Sequence, residues 1–241
     1  MTRLDRLLGS LGQGTRSQVK EIIRQGRVMV DGLAVRDPAT QVRPDQEIVL
    51  DGAALDTRLE RHLMMNKPAG LLTAARDSRQ PTVLDLLTEP YLSLKCMPVG
   101  RLDKATEGLL LFTTDGQMAH RLLSPKSGVV KRYLAQVTGR LDAAVTERFA
   151  QGIALSDFQA LPAGLLILSA ETEHSWAEVS VTEGKFHQVR RMFGACGHEV
   201  VQLRRLSFGS LELDAALAPG QWRELSQDEW LALSKGAGLD G

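Results

Sequence analysis

The chain has almost no cysteine. Cys96 and Cys196 are its only two, too few for a disulfide framework and with no metal-ligand spacing around them. Free thiols suit a reducing cytosol. The five histidines, His62, His120, His174, His187 and His198, lie too far apart for a zinc pattern. Net charge is also missing, with 29 Lys and Arg against 29 Asp and Glu. Bulk attraction to nucleic acid or membrane is therefore not indicated, and any basic surface must be local. No apolar run approaches the length of a membrane span. Residues 1–11 have no apolar core of the signal-peptide kind. A glycine-rich nucleotide loop is absent too. What remains is an ordinary soluble composition, 43% hydrophobic and 24% charged over 241 residues. That length accommodates one large domain, or a small one and a medium one.

Residues 1–50 read as a small module. Leu4, Leu7, Leu8 and Leu11 recur at helical spacing, and Gly12-Gln13-Gly14 breaks the helix. Thr15 opens a second helix, with Gln18 completing a capping box and Gly26 as C-cap. Residues 27–30 and 33–35 flank Asp31-Gly32, a two-residue hairpin signal. Residues 48–50 close a small sheet. Arg3, Arg6, Arg16, Lys20, Arg24 and Arg27 crowd the helical half, against only Asp5 and Glu21. Such a face suits phosphates, with affinity that falls steeply with salt, and it equally suits a solvated helix. This order of elements resembles the S4 RNA-binding domain, which implies RNA contact but no reaction. Residues 51–61 are polar and read as a linker. A larger domain is expected over 62–241.

Within that domain, GRLDKATEGLLL at residues 100–111 is the organising stretch. It carries one carboxylate, Asp103, on a glycine-flanked loop. An apolar run over 109–112 follows and reads as a buried strand. A loop on a rigid strand holds a reactive side chain exposed and still; an Arg101–Asp103 surface ion pair in a turn is the alternative. Residues 131–137 alternate as a half-buried strand does and carry Tyr133. Residues 185–196 read as a helix whose apolar face is Phe186, Val189, Met192, Phe193 and Cys196, with Arg190 on its rim. Arg190 there needs a buried acceptor, for which Asp103 is the candidate, or it snorkels past the core. Further strands are expected near 62–66, 165–168, 176–181, 200–203, 211–213 and 222–225. Helices are expected near 82–87, 116–123, 142–151 and 228–233.

Four motifs now stand in order: LMMNKPAG, VGRLDKATEGLLLFTTDG, KRYLAQV and EGKFHQVRRMF. Together they resemble the pseudouridine synthase family that includes the ribosomal small-subunit synthase A. The resemblance, with the S4 domain in front, covers nearly the whole chain. It implies an α+β fold: a mixed, mainly antiparallel sheet flanked by helices around an RNA-binding cleft. The implied reaction detaches uracil from ribose, turns it and rejoins it through carbon, with neither cofactor nor metal. Asp103 takes the role of the family's aspartate, as nucleophile or base. Arg190 would keep it ionised, Tyr133 would stack on the flipped base, and Arg101 would hold or replace the extruded nucleotide. Lys67, Lys104, Lys131 and Lys185 would contact the RNA backbone, beside Arg3, Arg6, Arg16, Lys20 and Arg24.

FHQVRRMF, MAHRLLSP and VVQLRR look nearest the small-subunit branch. They imply one uridine of 16S rRNA, free or in an assembling small-subunit particle, and a cytoplasmic monomer that binds no membrane. Lys104 and Arg132 depart from that branch, which leaves a 23S rRNA uridine as the alternative. Glu107, four residues after Asp103, raises a paired-carboxylate glycosidase, which would hydrolyse rather than isomerise; the resemblance makes it structural or solvated. A non-catalytic S4-type rRNA-binding protein would lack the aspartate or the tyrosine, and both are present.

Overall fold

The structure, a computed structural model, describes residues 1–236. Residues 237–241, the end of the expected second domain, lie outside the described residues. The chain divides into two units, Met1–Arg61 with Leu87–Cys96, and His62–Leu86 with the chain from Met97 onward.

In the first unit, helix α1 (Leu4–Ser10) buries Leu4, Leu7 and Leu8. Helix α2 (Arg16–Arg24) opens on a reciprocal cap, since the Thr15 amide donates to Gln18 Oε1 at 2.8 Å and the Gln18 amide to Thr15 Oγ1. Strands β1 (Val28–Val30) and β2 (Leu33–Val35) form the expected hairpin. Asp31 and Gly32 both adopt positive φ, 48° and 79°, which matches the twist of the strands. Strand β3 (Ile48–Leu50) pairs antiparallel with β1.

The expected linker belongs to this unit. Ala53–Ala54 pairs with β3, the Leu55 amide donates to Ile48 O, and Arg61 is buried and bonded to Asp56. Its polar composition concealed a strand and a buried guanidinium. Residues 87–96, expected in the second domain, also belong to the first unit.

The second unit is built on a nine-stranded sheet. In chain order its main elements are β4 (His62–Lys67), β5 (Glu107–Thr113), α3 (Gly116–Leu123), β6 (Lys131–Thr138), α4 (Ala143–Gln151), β7 (Gly164–Ala170), β8 (His174–Val181), α5 (Gln188–Ala195), β9 (Val200–Phe208), β10 (Trp222–Glu224) and α6 (Gln227–Gly236). The sheet order is β7-β8-β6-β9-β5-β4-β10, with two short strands, Met97–Pro98 and Leu211–Glu212, at its side. Among the described strands of this sheet, only β9 and β5 pair in parallel. The fold is α+β with a mixed, mainly antiparallel sheet.

Helices α4 and α5 bury Val145, Phe149, Val189, Met192 and Phe193 against Ala135, Val137, Ala177, Val179 and Leu203 of the sheet. A second core packs Met118 and Leu122 of α3 on Met64, Leu109 and Leu111. Each buried side chain of this size contributes about 1.5–3 kcal/mol, so β5 is a rigid mount for the loop ahead of it. Register then aligns the parts: Tyr133 of β6 pairs with Arg205 of β9, which pairs with Gly108 of β5.

Candidate active site

The loop that carries Asp103 is tied down residue by residue. At its end, Gly108 has φ +99°, and a Cβ there would stand 2.2 Å from Arg205 O. Only glycine lets β5 approach β9 this closely. Ahead of Asp103, Thr73 Oγ1 donates to Leu102 O at 2.8 Å and accepts from the Leu102 amide at 3.2 Å. Beneath the loop lies Lys67, at 0% exposure. Its Nζ donates to the carbonyls of Pro68 (3.0 Å), Asp103 (3.2 Å), Lys104 (3.3 Å) and Thr106 (2.9 Å). Burial lowers the Lys67 ammonium to about 8, against the pull of Glu107 and Asp103. The backbone on both sides of Asp103 is thus fixed, while its carboxylate remains about a third exposed.

Asp103 and Tyr133 border one cleft. Arg101, Thr106, Lys185, His187 and Leu203 line it too. Tyr133 is half-buried against the α4–α5 core, which fixes its ring. His187 faces the carboxylate, with Nε2 3.4 Å from Asp103 Oδ1. His187 sits just before α5 in the left-handed region, φ 51° and ψ 28°. A non-glycine residue there costs roughly 1–3 kcal/mol. Its imidazole stacks on the Phe186 ring, 3.8 Å between centroids and 17° between planes.

Several sequence expectations need correction. The helix starts at Gln188 and not at 185, so Phe186 leaves the apolar stripe and is 73% exposed. Arg190 is not brought to Asp103: its Nη1 donates to Val200 O at 2.8 Å, and it borders a separate hollow with His198 and Glu199. Its acceptor is a backbone carbonyl at the start of β9, which spacing along the helix does not reveal. Lys67 and Lys131 are not backbone-contacting surface lysines. Lys131 is 4% exposed, and its Nζ donates to Thr182 O at 3.0 Å. Burial, with the Arg205 guanidinium nearby, lowers it to about 8.

The other expected residues are accessible. Arg101 is exposed at the cleft. Lys104, exposed on the loop, donates to Gln80 Oε1. Lys185 Nζ lies 3.9 Å from the Phe158 ring centroid and 4.0 Å from Glu183 Oε2. Glu107 is exposed and does not line the cleft. In the first unit Arg3 pairs with Asp5. Arg6, Arg16, Lys20 and Arg24 are exposed, with no side-chain hydrogen bond or ion pair among the described residues.

Sequence reasoning missed Thr73 and His187. His187 stands inside the EGKFHQVRRMF motif, but nothing local signals its left-handed backbone. Among the described residues, no group of three His, Cys, Asp or Glu side chains could hold a metal ion. No helix among them is long and apolar enough to cross a membrane.

Comparison with known proteins matches both parts of the chain. The RNA pseudouridylate synthase model matches residues 61–195, and the S4 domain model matches residues 2–48. The uncharacterized RNA pseudouridine synthase YtzG of Bacillus subtilis (strain 168) is 44% identical over 94% of this chain and 96% of its own. The ribosomal small subunit pseudouridine synthase A of Escherichia coli (strain K12) is 37% identical over 94% of this chain and 97% of its own. A crystal structure of a pseudouridylate synthase superposes with a TM-score of 0.67 at 34% identity, covering 97% of this chain and all of that one. The chain belongs to the RNA pseudouridine synthase family, with an S4 domain in front of the synthase domain.

Proposed function

We propose that this protein converts one uridine of small-subunit ribosomal RNA, the 16S rRNA, into pseudouridine, with Asp103 as the reacting carboxylate. The observation that carries this reading is the single cleft shared by Asp103 and Tyr133. The 16S target is supported by relatives at 36–37% identity that bear the name ribosomal small subunit pseudouridine synthase A.

The reaction breaks the bond between uracil N1 and ribose C1′ and makes one between C5 and C1′. The proton on C5 leaves and N1 gains one, so nothing is oxidised and nothing is consumed. A base inside a helix exposes neither atom, so the uridine is everted into the cleft. Tyr133 stacks on the everted uracil. Arg101, on the Asp103 loop, holds the extruded nucleotide or fills the space it leaves. Asp103 acts ionised, either attacking C1′ or removing the proton from C2′.

His187 Nε2 faces the Asp103 carboxylate at 3.4 Å, and Lys67 holds the backbone of the loop from beneath. Lys104 and Lys185 flank the cleft for phosphates. In the S4 domain Arg3, Arg6, Arg16, Lys20 and Arg24 add contacts whose strength falls with salt. The protein acts in the cytoplasm as a monomer.

The test is chemical mapping of pseudouridine in both ribosomal RNAs from cells with and without this protein. Loss of one 16S site is expected. Loss of a 23S site instead overturns the target, and no loss at all overturns the function.

A further inference from the structure

We propose that the outer face of Phe186 is a stacking surface for the nucleobase next to the everted uridine. This rests on the reading of the cleft as the site of uridine isomerisation. Phe186 is 73% exposed at the end of a motif whose other apolar residues, Val189, Met192 and Phe193, are buried. Its chain neighbours on both sides, Lys185 and His187, line the cleft, so the ring stands at the cleft's edge. The ring is not loose. One face lies on the His187 imidazole, 3.8 Å away and nearly parallel.

The imidazole beneath it is fixed in turn. Nε2 faces Asp103 Oδ1 at 3.4 Å, and the left-handed backbone at His187 aims both rings. Phe186, His187 and the Asp103 carboxylate therefore form one stack-and-contact series ending at the reacting group. The Phe–His spacing is close to that between stacked bases. A nucleobase laid on the free face of Phe186 continues the series one step away from the cleft. There it replaces the stacking partner that a neighbour of the everted uridine loses when that uridine swings out. Stacking on an aromatic face tolerates any base, so Phe186 would contribute affinity and register rather than sequence choice. Lys185, adjacent in the chain, lines the cleft beside it and suits the connecting phosphate.

The experiment measures tritium release from rRNA and ribosomal subunits labelled with [5-3H]uridine, prepared from cells lacking this protein. Wild type, Phe186→Ala, Phe186→Leu and Phe186→Trp are compared, with thermal melting to confirm equal folding. Losing one stacked base should raise KM roughly 5- to 150-fold in Phe186→Ala with kcat little changed. Phe186→Trp should restore wild-type KM, and Phe186→Leu should not. Equal KM in wild type and Phe186→Ala overturns the proposal and leaves the enzymatic reading standing. Recovery by leucine as well as tryptophan also overturns it, because bulk then suffices without an aromatic face. Absence of release by wild type on every substrate overturns the enzymatic reading and this inference with it.

Discussion

Lys67 Nζ, wholly buried, donates to the backbone carbonyl of Asp103 at 3.2 Å. The ammonium reaches three further carbonyls around the same loop. Asp103, the residue proposed to react, and the residue that holds its loop are thus neighbours through the backbone.

This contact sets a pH dependence. Lys67 titrates at about 8 in the folded protein, against 10.5 for the free side chain. Between those values the unfolded chain binds more protons than the folded one, so this group's contribution to stability rises with pH across the window. Activity moves the other way. Above pH 8 the amine has lost its charge and one of its donors, and the loop loosens. Activity should fall with a midpoint near pH 8 without an accompanying loss of stability from this group. Lys67→Met should be less active at every pH and lack that limb. Lys131→Met is the control, because Lys131 also titrates at about 8 but does not bond the loop. Persistence of the limb in Lys67→Met, and its loss in Lys131→Met, would assign it to Lys131.

Gly108 makes the second test, one of stability. Its φ of +99° and the Arg205 carbonyl 2.2 Å from an added Cβ leave alanine no room. Gly108→Ala should cost about 2 kcal/mol or more, roughly 4–8 °C in Tm. Gly184 has open space around it and no positive φ, so Gly184→Ala should melt with the wild type. Thermal unfolding followed by circular dichroism separates the two.

These two positions also show where the sequence stops being informative. Local devices were readable: the Thr15–Gln18 cap, the Asp31-Gly32 turn and the buried run of β5 all follow from residues a few places apart. The pairing of Asp103 and Tyr133 in one cleft was anticipated through the motif resemblance. Lys67 and Lys131 were misread because lysine ordinarily marks the surface, and the carbonyls that receive them come from distant loops. Phe186 leaves the apolar stripe because the left-handed backbone at His187 starts α5 at Gln188. Arg190 keeps its place on the helix beside Val189, and its acceptor is the Val200 carbonyl at the start of β9, a partner that spacing within the helix does not reveal. The polar stretch 51–61 concealed a strand because its pairing partner, β3, lies outside it.

Tyr133 tests the role of the ring. It is half-buried against the core, and its hydroxyl has no hydrogen-bond partner among the described residues. Tyr133→Phe keeps the stacking face and should retain most of kcat/KM. Tyr133→Ala removes a stacked base's support, worth about 1–3 kcal/mol, so kcat/KM should drop roughly 5- to 150-fold. Steady-state tritium release gives both numbers. Equal losses would point to a role for the hydroxyl instead.

The most direct measurement concerns Asp103. Purified wild type and Asp103→Asn are compared for tritium release from [5-3H]uridine-labelled rRNA and for binding to the same RNA. Asparagine is nearly isosteric but can neither attack ribose nor take a proton. The variant is expected to fold and bind as the wild type does and to release no tritium. Release at the wild-type rate would show that the reaction in this cleft does not pass through Asp103.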